Sequence, residues 1–367
     1  MSWMKSSIIS HLSRRAQVAS LPVSMGDIAR LSGCIVLCLC VACSSPKDGA
    51  QGMPQLDGVV RHPGTVATDV ADEPPLYMQN GSIGVGFVRA EHRDIPPYDR
   101  PQTEEFRIDA GDFFSPYLIL VNNTDATQTF LVTAFLDLVQ VDFVLDEREG
   151  ILHEVAVPPH VEFELPMIVR IPFPGCHDVQ VLAFARPYND TLDIDWRTRF
   201  GGYSHSRRAI VIVGDNDVPA TVPTILDMGQ PRPNDRTFDI GVGFATEGDQ
   251  HPSDQQLYVD QATVGLPYAF RVWATNDTGQ ATNMVLIPLV DYRQRPIGLT
   301  NEASWVIHLE PEEEAILDAR VTFDTPGVHQ LQIVFFYDPY RSILRDETAL
   351  PIVEGSFRIA IQALPAN

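Results

Sequence analysis

The chain has 367 residues, a formal net charge of −22 and 44% hydrophobic residues. Its length allows two domains with separate cores, and its hydrophobic content predicts a folded protein. The excess of negative charge argues against nucleic acid or an anionic membrane surface as a binding partner. Lys5 and Lys47 are the only lysines, which excludes Schiff-base and phosphate-loop lysines from the rest of the chain.

The first 42 residues are predicted to be a signal peptide, with Met25 as the favoured start. Residues 31–42 form an apolar run that follows Arg30. Such a run is too short to span a bilayer and is typical of a signal-peptide core. Residues 1–24 do not fit a signal peptide, because the apolar core begins too far downstream of them.

Cys43 is the predicted lipidation site. Ala42 precedes it directly, and this arrangement resembles the lipobox of bacterial lipoproteins, although Cys40 stands where leucine is usual. The resemblance implies cleavage before Cys43, a diacylglycerol on its sulfur, and a lipid-anchored protein at the extracytoplasmic face of the cell envelope. An ordinary signal peptide or an uncleaved membrane-associated segment is the alternative. Residues 43–78 are rich in Pro, Gly, Ser and Asp, which predicts a flexible tether.

Two β domains are predicted, at residues 79–214 and 237–364, joined by a Pro/Asp-rich linker at 215–236. Apolar residues alternate with other residues along their strands, as expected of half-buried strands with period 2. The clearest runs are Leu165, Met167, Val169 and Ile171 in the first domain, and Leu317, Ala319, Val321 and Phe323 in the second. Each domain has roughly seven or eight such strands. No window predicts a convincing amphipathic helix.

An internal repeat relates the two domains. Residues 174–181 match residues 326–333 at an offset of 152 (326 − 174), and residues 83–87 match 240–244 at an offset of 157 (240 − 83). A repeat of this length is a duplicated domain rather than a solenoid unit. The predicted fold is all-β, with two tandem immunoglobulin-like antiparallel β-sandwiches.

His177 and His329 occupy equivalent positions in a Pro-Gly-x-His motif at the start of a strand. Each shares parity with the apolar residues that follow it, so both are predicted to point inward. The motif resembles the Pro-Gly-x-Tyr-x-Val-x-Val pattern of bacterial immunoglobulin-like and fibronectin-type modules. That resemblance implies that histidine replaces a tyrosine that holds a corner of the sandwich. A metal ligand or a pH switch is the alternative, but we identify no second histidine or carboxylate that recurs beside it.

Asn122 and Asn276 each follow a strand and precede a polar turn. This pattern resembles bacterial cell-adhesion-related modules of the CARDB type and implies the same sandwich fold. Cys176 is the only cysteine after Cys43, so it cannot form a disulfide within the two domains. We interpret it as a small buried apolar residue, with a reactive thiol as the alternative.

Asp215, Asn216 and Asp217 open the linker and are candidate calcium ligands. Their position resembles the junction between cadherin domains, where oxygen ligands hold Ca²⁺. The alternative is a set of solvated linker acids, and we predict no other cofactor.

The loop at 188–206 is the longest difference between the copies and is a candidate partner-binding loop. Loops that join sandwich strands often carry recognition, and aromatic residues with arginines suit a sugar or a protein partner. The candidate residues are Trp196, Arg197, Arg199, Phe200 and Tyr203. A cap over the edge of the sandwich is the alternative role.

No hydrolase, metalloprotease or nucleotide-binding motif is present in the sequence. We therefore expect no intrinsic catalysis and predict a binding or structural module of the cell envelope, with an envelope protein or a glycan as its partner. The alternative is a non-catalytic accessory or substrate-docking subunit of an extracytoplasmic enzyme or transport system.

Overall fold

The computed structural model describes residues 56–62, 83–95, 105–200, 204–215, 218–219, 225, 231–233, 241–248, 255–276, 279–298, 302–341 and 353–366. With the exception of one short α-helix and one 3₁₀ turn, all regular elements in this part of the chain are β-strands, which confirms the predicted all-β fold. Cys43, Tyr203, Asn216 and Asp217 lie outside the described residues.

The first sandwich consists of two facing sheets. Its strands are β1 (Val59–Arg61), β2 (Ile83–Val88), β3 (Glu105–Ile108), β4 (Tyr117–Asn122), β5 (Gln128–Leu136), β6 (Val139–Val141), β7 (Phe143–Leu145), β8 (Arg148–Gly150), β9 (Leu152–Val157), β10 (Val161–Ile168), β11 (Gly175–Ala185) and β12 (Ser204–Val213). One sheet has the order β1-β9-β5-β11-β12-β3, with β6 paired to β5. The other has the order β2-β4-β10-β7-β8. A 3₁₀ turn at Ala90–His92 follows β2, and helix α1 (Ile194–Phe200) lies between β11 and β12.

The second sandwich is built in the same way. Its strands are β13 (Arg232–Pro233), β14 (Val242–Ala245), β15 (Val259–Thr263), β16 (Pro267–Thr275), β17 (Thr282–Val290), β18 (Arg293–Gln294), β19 (Trp305–Leu309), β20 (Glu313–Thr322), β21 (Gly327–Tyr337), β22 (Val353–Gly355) and β23 (Ile359–Leu364). One sheet has the order β13-β20-β16-β14. The other has the order β15-β23-β21-β17-β18, with β19 paired to β17 and β22 paired to β21.

The sequence repeat is also a repeat of topology. The order β9-β5-β11-β12-β3 in the first sandwich corresponds to β19-β17-β21-β23-β15 in the second, and β2-β4-β10 corresponds to β14-β16-β20. β11 and β21 are equivalent central strands of 11 residues each, and every residue in both is buried. The parallel edge pairs, β3 with β12 and β15 with β23, also match.

Each sandwich encloses its own apolar core. The inward-facing residues predicted from the alternating pattern are buried in these two cores, from Leu165 to Ile171 in the first sandwich and from Leu317 to Phe323 in the second. The indole ring of Trp273 lies over Gly243, where a β-carbon would be 2.5 Å from the ring. Glycine at this position of the edge strand is therefore required by the close approach of the ring.

A third apolar cluster lies between the two sandwiches, where the outer face of one seven-stranded sheet packs on the other. Its buried members are Leu131, Phe135, Leu138, Leu152, Leu182 and Phe184 from the first sandwich, and Val285, Ile287, Leu289, Tyr292, Val306, Val334, Phe336 and Val353 from the second. We call this contact the seam. Both copies contribute equivalent residues to it, for example Leu182 and Val334, at the repeat offset of 152 (334 − 182).

Polar contacts across the seam follow an approximate two-fold symmetry. The backbone N–H of Gln140 donates to the side-chain Oε1 of Gln294 at 2.6 Å, and the backbone N–H of Gln294 donates to Oε1 of Gln140 at 2.8 Å. The two side-chain amides also exchange contacts, because Gln140 donates to the carbonyl of Tyr292 and Gln294 donates to that of Leu138. The seam thus resembles an isologous interface between two copies of one unit.

Two buried arginines repeat this symmetry. Arg208 of the first sandwich donates to the backbone carbonyls of Tyr337 and Asp338, at 3.3 and 3.0 Å. Arg358 of the second sandwich donates to the carbonyl of Ala185 at 2.9 Å and to the following carbonyl at 3.2 Å. These carbonyls occupy equivalent positions in the repeat, so each arginine binds the same part of the opposite sandwich.

The described parts of residues 215–236 are attached to the sandwiches. Pro219 forms a bridge with Cys176, Ile225 forms one with Val306, and β13 pairs with β20. These pieces of the predicted linker therefore belong to the folded body.

Candidate functional site

The inward-pointing histidine of the first sandwich is bound to an aspartate that the sequence analysis missed. Nδ1 of His177 lies 2.7 Å from Oδ2 of Asp137, and Nε2 lies 2.8 Å from the carbonyl of Phe173. Oδ1 of the same aspartate accepts the backbone N–H of Asp178 at 3.0 Å. Asp137 and Leu138 have φ values of 48° and 70° and form the tight turn between β5 and β6.

The second sandwich contains the same arrangement. Nδ1 of His329 lies 2.7 Å from Oδ2 of Asp291, Nε2 lies 2.8 Å from the carbonyl of Thr325, and the N–H of Gln330 donates to Oδ1 of Asp291 at 2.9 Å. Our expectation that no carboxylate recurs beside the histidine is therefore wrong. Asp137 and Asp291 are related by an offset of 154 (291 − 137), which lies between the two offsets found in the sequence.

These Asp–His pairs fasten a hairpin turn to the start of the central strand. Both ring nitrogens of each histidine have partners within the sandwich, so the geometry supports the predicted structural role. Burial lowers the histidine pKa, but the hydrogen bond and charge of the aspartate outweigh it, and the pKa of His177 and of His329 is raised. Their contribution to stability is complete below pH 6.5, the ordinary pKa of histidine, and is lost as the pH rises through the raised values.

We expect Asp137→Ala to lower the free energy of unfolding by about 1–3 kcal/mol, because it leaves two buried donors without an acceptor. Asp291→Ala should have a similar effect, since the contacts are the same. Urea denaturation at pH 6 measures both. The control is Asp125→Ala, which removes an exposed partner of His160 and should change stability by less than about 0.5 kcal/mol. Equal, small effects for all three variants would contradict the fastening role.

The two predicted asparagines are also structural. Nδ2 of Asn122 donates to the carbonyls of Ala126 and Val157, both at 2.8 Å. Nδ2 of Asn276 donates to those of Gln280 and Leu309, at 2.8 and 2.9 Å. Both side chains are buried. They satisfy carbonyls at a strand end that would otherwise lack donors.

The candidate partner-binding loop contains α1, a helix that the sequence did not predict. Arg197 on α1 is fully buried and donates to Oε1 of Gln330 at 2.6 Å and to the carbonyl of Thr191. Burial and then the positive charge of Arg358 lower its pKa to about 9. The guanidinium therefore joins the loop to the second sandwich. This contact corresponds to the alternative role of the loop, a cap over the edge of the sandwich.

Trp196 also belongs to α1 and retains part of its surface. Its ring is partly exposed, and its centroid lies 5.1 Å from the guanidinium carbon of Arg197 and 5.9 Å from that of Arg358. Ile194 beside it is 55% exposed. Arg199 and Phe200 belong to α1, and Tyr203 lies outside the described residues.

Asp215 lines an open cleft of about 750 Å³ at one end of the first sandwich. Asp109 and Asp112 share the cleft with Arg107 and the exposed ring of Phe113. Within the described residues, no group of three or more histidine, cysteine or carboxylate side chains is arranged to hold a metal ion. The predicted calcium site depends on two residues that are not described, so it stays a prediction.

Cys176 is buried at the start of β11, where it packs with Ile210 and Ile212. This is the environment predicted for a small apolar residue.

No protein-family model matches the chain, and no characterised protein matches its sequence. The solved structures that are similar to parts of it include the following three. A family 123 glycoside hydrolase from Clostridium perfringens is 10% identical, with a TM-score of 0.23, over 34% of this chain and 27% of that one. A CARDB domain from Pyrococcus furiosus, solved in complex with di-metal ions, is 15% identical, with a TM-score of 0.22, over 35% of this chain and all of that domain. The E. coli chaperone DraB is 11% identical, with a TM-score of 0.21, over 77% of this chain and 97% of that one.

At these identities and scores, none of the three structures indicates an activity, a ligand or a partner.

The structure does not describe Cys43 or the residues around it. In the described part of the chain, no helix has the length and apolar character needed to cross a membrane.

Proposed function

We propose that the protein is a lipid-anchored binding or structural module of the cell envelope and that it has no catalytic activity of its own. The anchor is Cys43, which follows an apolar run of signal-peptide length. The module is the body formed by the two sandwiches.

The symmetric seam is the observation that carries this proposal. Fourteen buried side chains and two buried arginines fix the sandwiches against each other. A contact of this kind suppresses the relative motion that is the usual expectation for tandem domains. A rigid body on an anchored chain is suited to presenting a surface at a defined orientation.

The recurrent polar residues support a structural role. Both ring nitrogens of His177 and His329 have partners within the fold. The side-chain amides of Asn122 and Asn276 donate to backbone carbonyls. The repeat therefore preserves groups that hold turns and strand ends.

The surface that we assign to partner binding is the exposed side of α1, at Ile194 and Trp196. It lies beside the seam, because Arg197 and Arg358 both approach the Trp196 ring. Apolar and aromatic side chains on a rigid support suit an envelope protein or the face of a sugar ring.

Lipidation at Cys43 is tested by metabolic labelling with an alkyne fatty acid. The wild-type protein should be labelled, and Cys43→Ser should not, because the thiol is the acceptor of the lipid. Cys176→Ser is the matched control and should be labelled like the wild type, since that thiol is buried. Equal labelling of the wild type and Cys43→Ser would remove the lipid anchor from the proposal.

A further inference from the structure

Residues 56–62 are the first described part of the chain after Cys43, and both sandwiches hold them. β1 pairs in parallel with β9 at the edge of the first sandwich. Leu56 and Val59 pack on the apolar cluster of the seam. From the second sandwich, Nη2 of Arg293 donates to the carbonyl of Asp57. We call residues 56–62 the clasp.

The clasp ends at a buried pair of histidines. Nε2 of His62 lies 3.1 Å from Nδ1 of His153 on β9, and the two side chains are 5% and 0% exposed. The ring of His153 also packs on Phe143, with 4.4 Å between the ring centroids. The backbone N–H of His62 donates to the carbonyl of Glu154 at 3.1 Å.

The hydrogen-bond partners determine where the protons lie. Nε2 of His153 faces the carbonyls of Phe143 and Gly150, at 3.2 and 3.0 Å. Because carbonyls only accept, this nitrogen carries the hydrogen of the neutral ring, and Nδ1 is the acceptor. His62 must then donate through Nε2. Once His62 carries a proton on both nitrogens, a proton added to Nδ1 of His153 would place two N–H groups against each other and break this bond.

The fold does not require these histidines. The edge pairing has an equivalent in the second sandwich, where Ile225 bridges Val306 as Val59 pairs with Leu152. The residue equivalent to His153 at the offset of 154 (306 − 152) is Ile307, which is buried and apolar. The position of the titratable His153 is thus apolar in the other copy.

Several charged groups surround the pair. Oδ2 of Asp146 lies 3.8 Å from Nδ1 of His62, and Arg148 approaches the same ring from β8. Asp142, before β7, acts on His153 through its charge and favours a proton on that ring. On β9, Glu154 is engaged by Arg61 and by the hydroxyl of Tyr188 instead. Asp146 can stabilise one proton on His62, whereas among the described residues no carboxylate forms a hydrogen bond with His153.

We propose that the His62–His153 pair is an acid-sensitive lock, which holds the clasp on the sandwiches at neutral pH and releases it when the pair is protonated. Burial is the largest cause that lowers the pKa of both histidines, and it brings that of His153 to about 4. The closed clasp therefore favours the neutral rings. Its advantage is complete above pH 6.5 and is lost as the pH falls from 6.5 towards 4.

The lock has a further consequence that rests on the proposed lipid anchor. The clasp lies between Cys43 and the sandwiches in the chain, so its release would lengthen the connection between the anchor and the body. Acidification would then let the module move farther from the membrane that holds it.

Hydrogen exchange of the full-length protein in detergent tests the lock. Amide exchange of the peptide that covers residues 56–62, corrected for the intrinsic effect of pH, reports how often the clasp opens. Between pH 7 and pH 4.5 we expect its opening equilibrium to rise about 60-fold, from the difference between 6.5 and about 4 in the pKa of His153. A peptide from β21 should change little and serves as the control for the fold.

Variants separate the lock from general acid sensitivity. His62→Gln should reduce the rise, because a glutamine amide can either donate to or accept from His153. His153→Gln should remove it as well, since glutamine does not titrate. His160→Gln replaces an exposed histidine and should retain the full response. A clasp that responds to pH no more than β21, or a response that both Gln variants keep, would overturn the proposal. The same experiment on Cys43→Ser, which lacks the proposed lipidation site, tests the lock separately from the lipid anchor.

Discussion

Residues 237–367 expressed alone should form a folded homodimer rather than a stable monomer. The separated sandwich would expose the eight buried apolar side chains that it contributes to the seam. Burying such side chains contributes about 1.5–3 kcal/mol each. The total is therefore on the order of 10 kcal/mol or more, which is comparable to the whole stability of a typical domain. The repeat alone predicts that the second domain is stable as a monomer. The seam predicts instead that it is stable only when another surface covers its apolar face.

The symmetry of the seam identifies a second copy of the fragment as that partner. Gln294 could pair with its own equivalent, as it pairs with Gln140 in the full chain. Arg358 would find the carbonyls of residues 337 and 338 in place of the equivalent carbonyls at 185 and 186. A two-fold interface requires such self-complementarity.

Light scattering coupled to gel filtration measures the mass of the fragment, and its melting temperature should rise with concentration if association stabilises it. Ile287→Asp should block dimerisation, because it buries a charge at the centre of the seam. Tyr268→Ala is the matched control, since this residue packs on the inner core and not on the seam. A folded monomer at all concentrations would show that the seam is dispensable.

The sequence predicted the cores but not the seam, for a physical reason. Alternation of apolar residues marks a strand with one buried face, as at Leu165 and Met167. β5, β17 and β21 are buried on both faces and carry continuous apolar runs, including Phe335 and Phe336. Such runs are typical of strands covered on both sides. They were therefore the available signal that a second layer covers the sheet.

The aspartates of the turns could also have been found from the sequence, because Asp137 and Asp291 recur at an offset between those of the flanking matches. The His62–His153 pair could not. Its members are 91 residues apart, and the second copy has no equivalent pair. Short strands such as β6 and β18 give no alternating pattern, and α1 has only seven residues, too few for helical periodicity to be recognised.

Arg208→Ala should be the most damaging single substitution at the seam. Asp178 and Arg208 are 0% and 3% exposed, and Nη2 of the arginine lies 2.6 Å from Oδ2 of the aspartate. The same carboxylate accepts the backbone N–H of Tyr340 from the second sandwich at 3.0 Å. Removal of the guanidinium leaves a buried carboxylate without its cation and should lower the free energy of unfolding by about 3–5 kcal/mol.

The loss should come from the unpaired charge, and a second substitution tests that cause. Asp178→Asn added to Arg208→Ala removes the buried charge, so the double variant should be more stable than Arg208→Ala alone. Arg107→Ala is the matched control, because its ion pair with Glu105 is solvent-exposed at 3.4 Å and should contribute less than about 1 kcal/mol. Urea denaturation of the full-length protein measures all three. If Arg208→Ala costs no more than Arg107→Ala, or if Asp178→Asn restores nothing, the ion pair does not stabilise the seam in the way the geometry indicates.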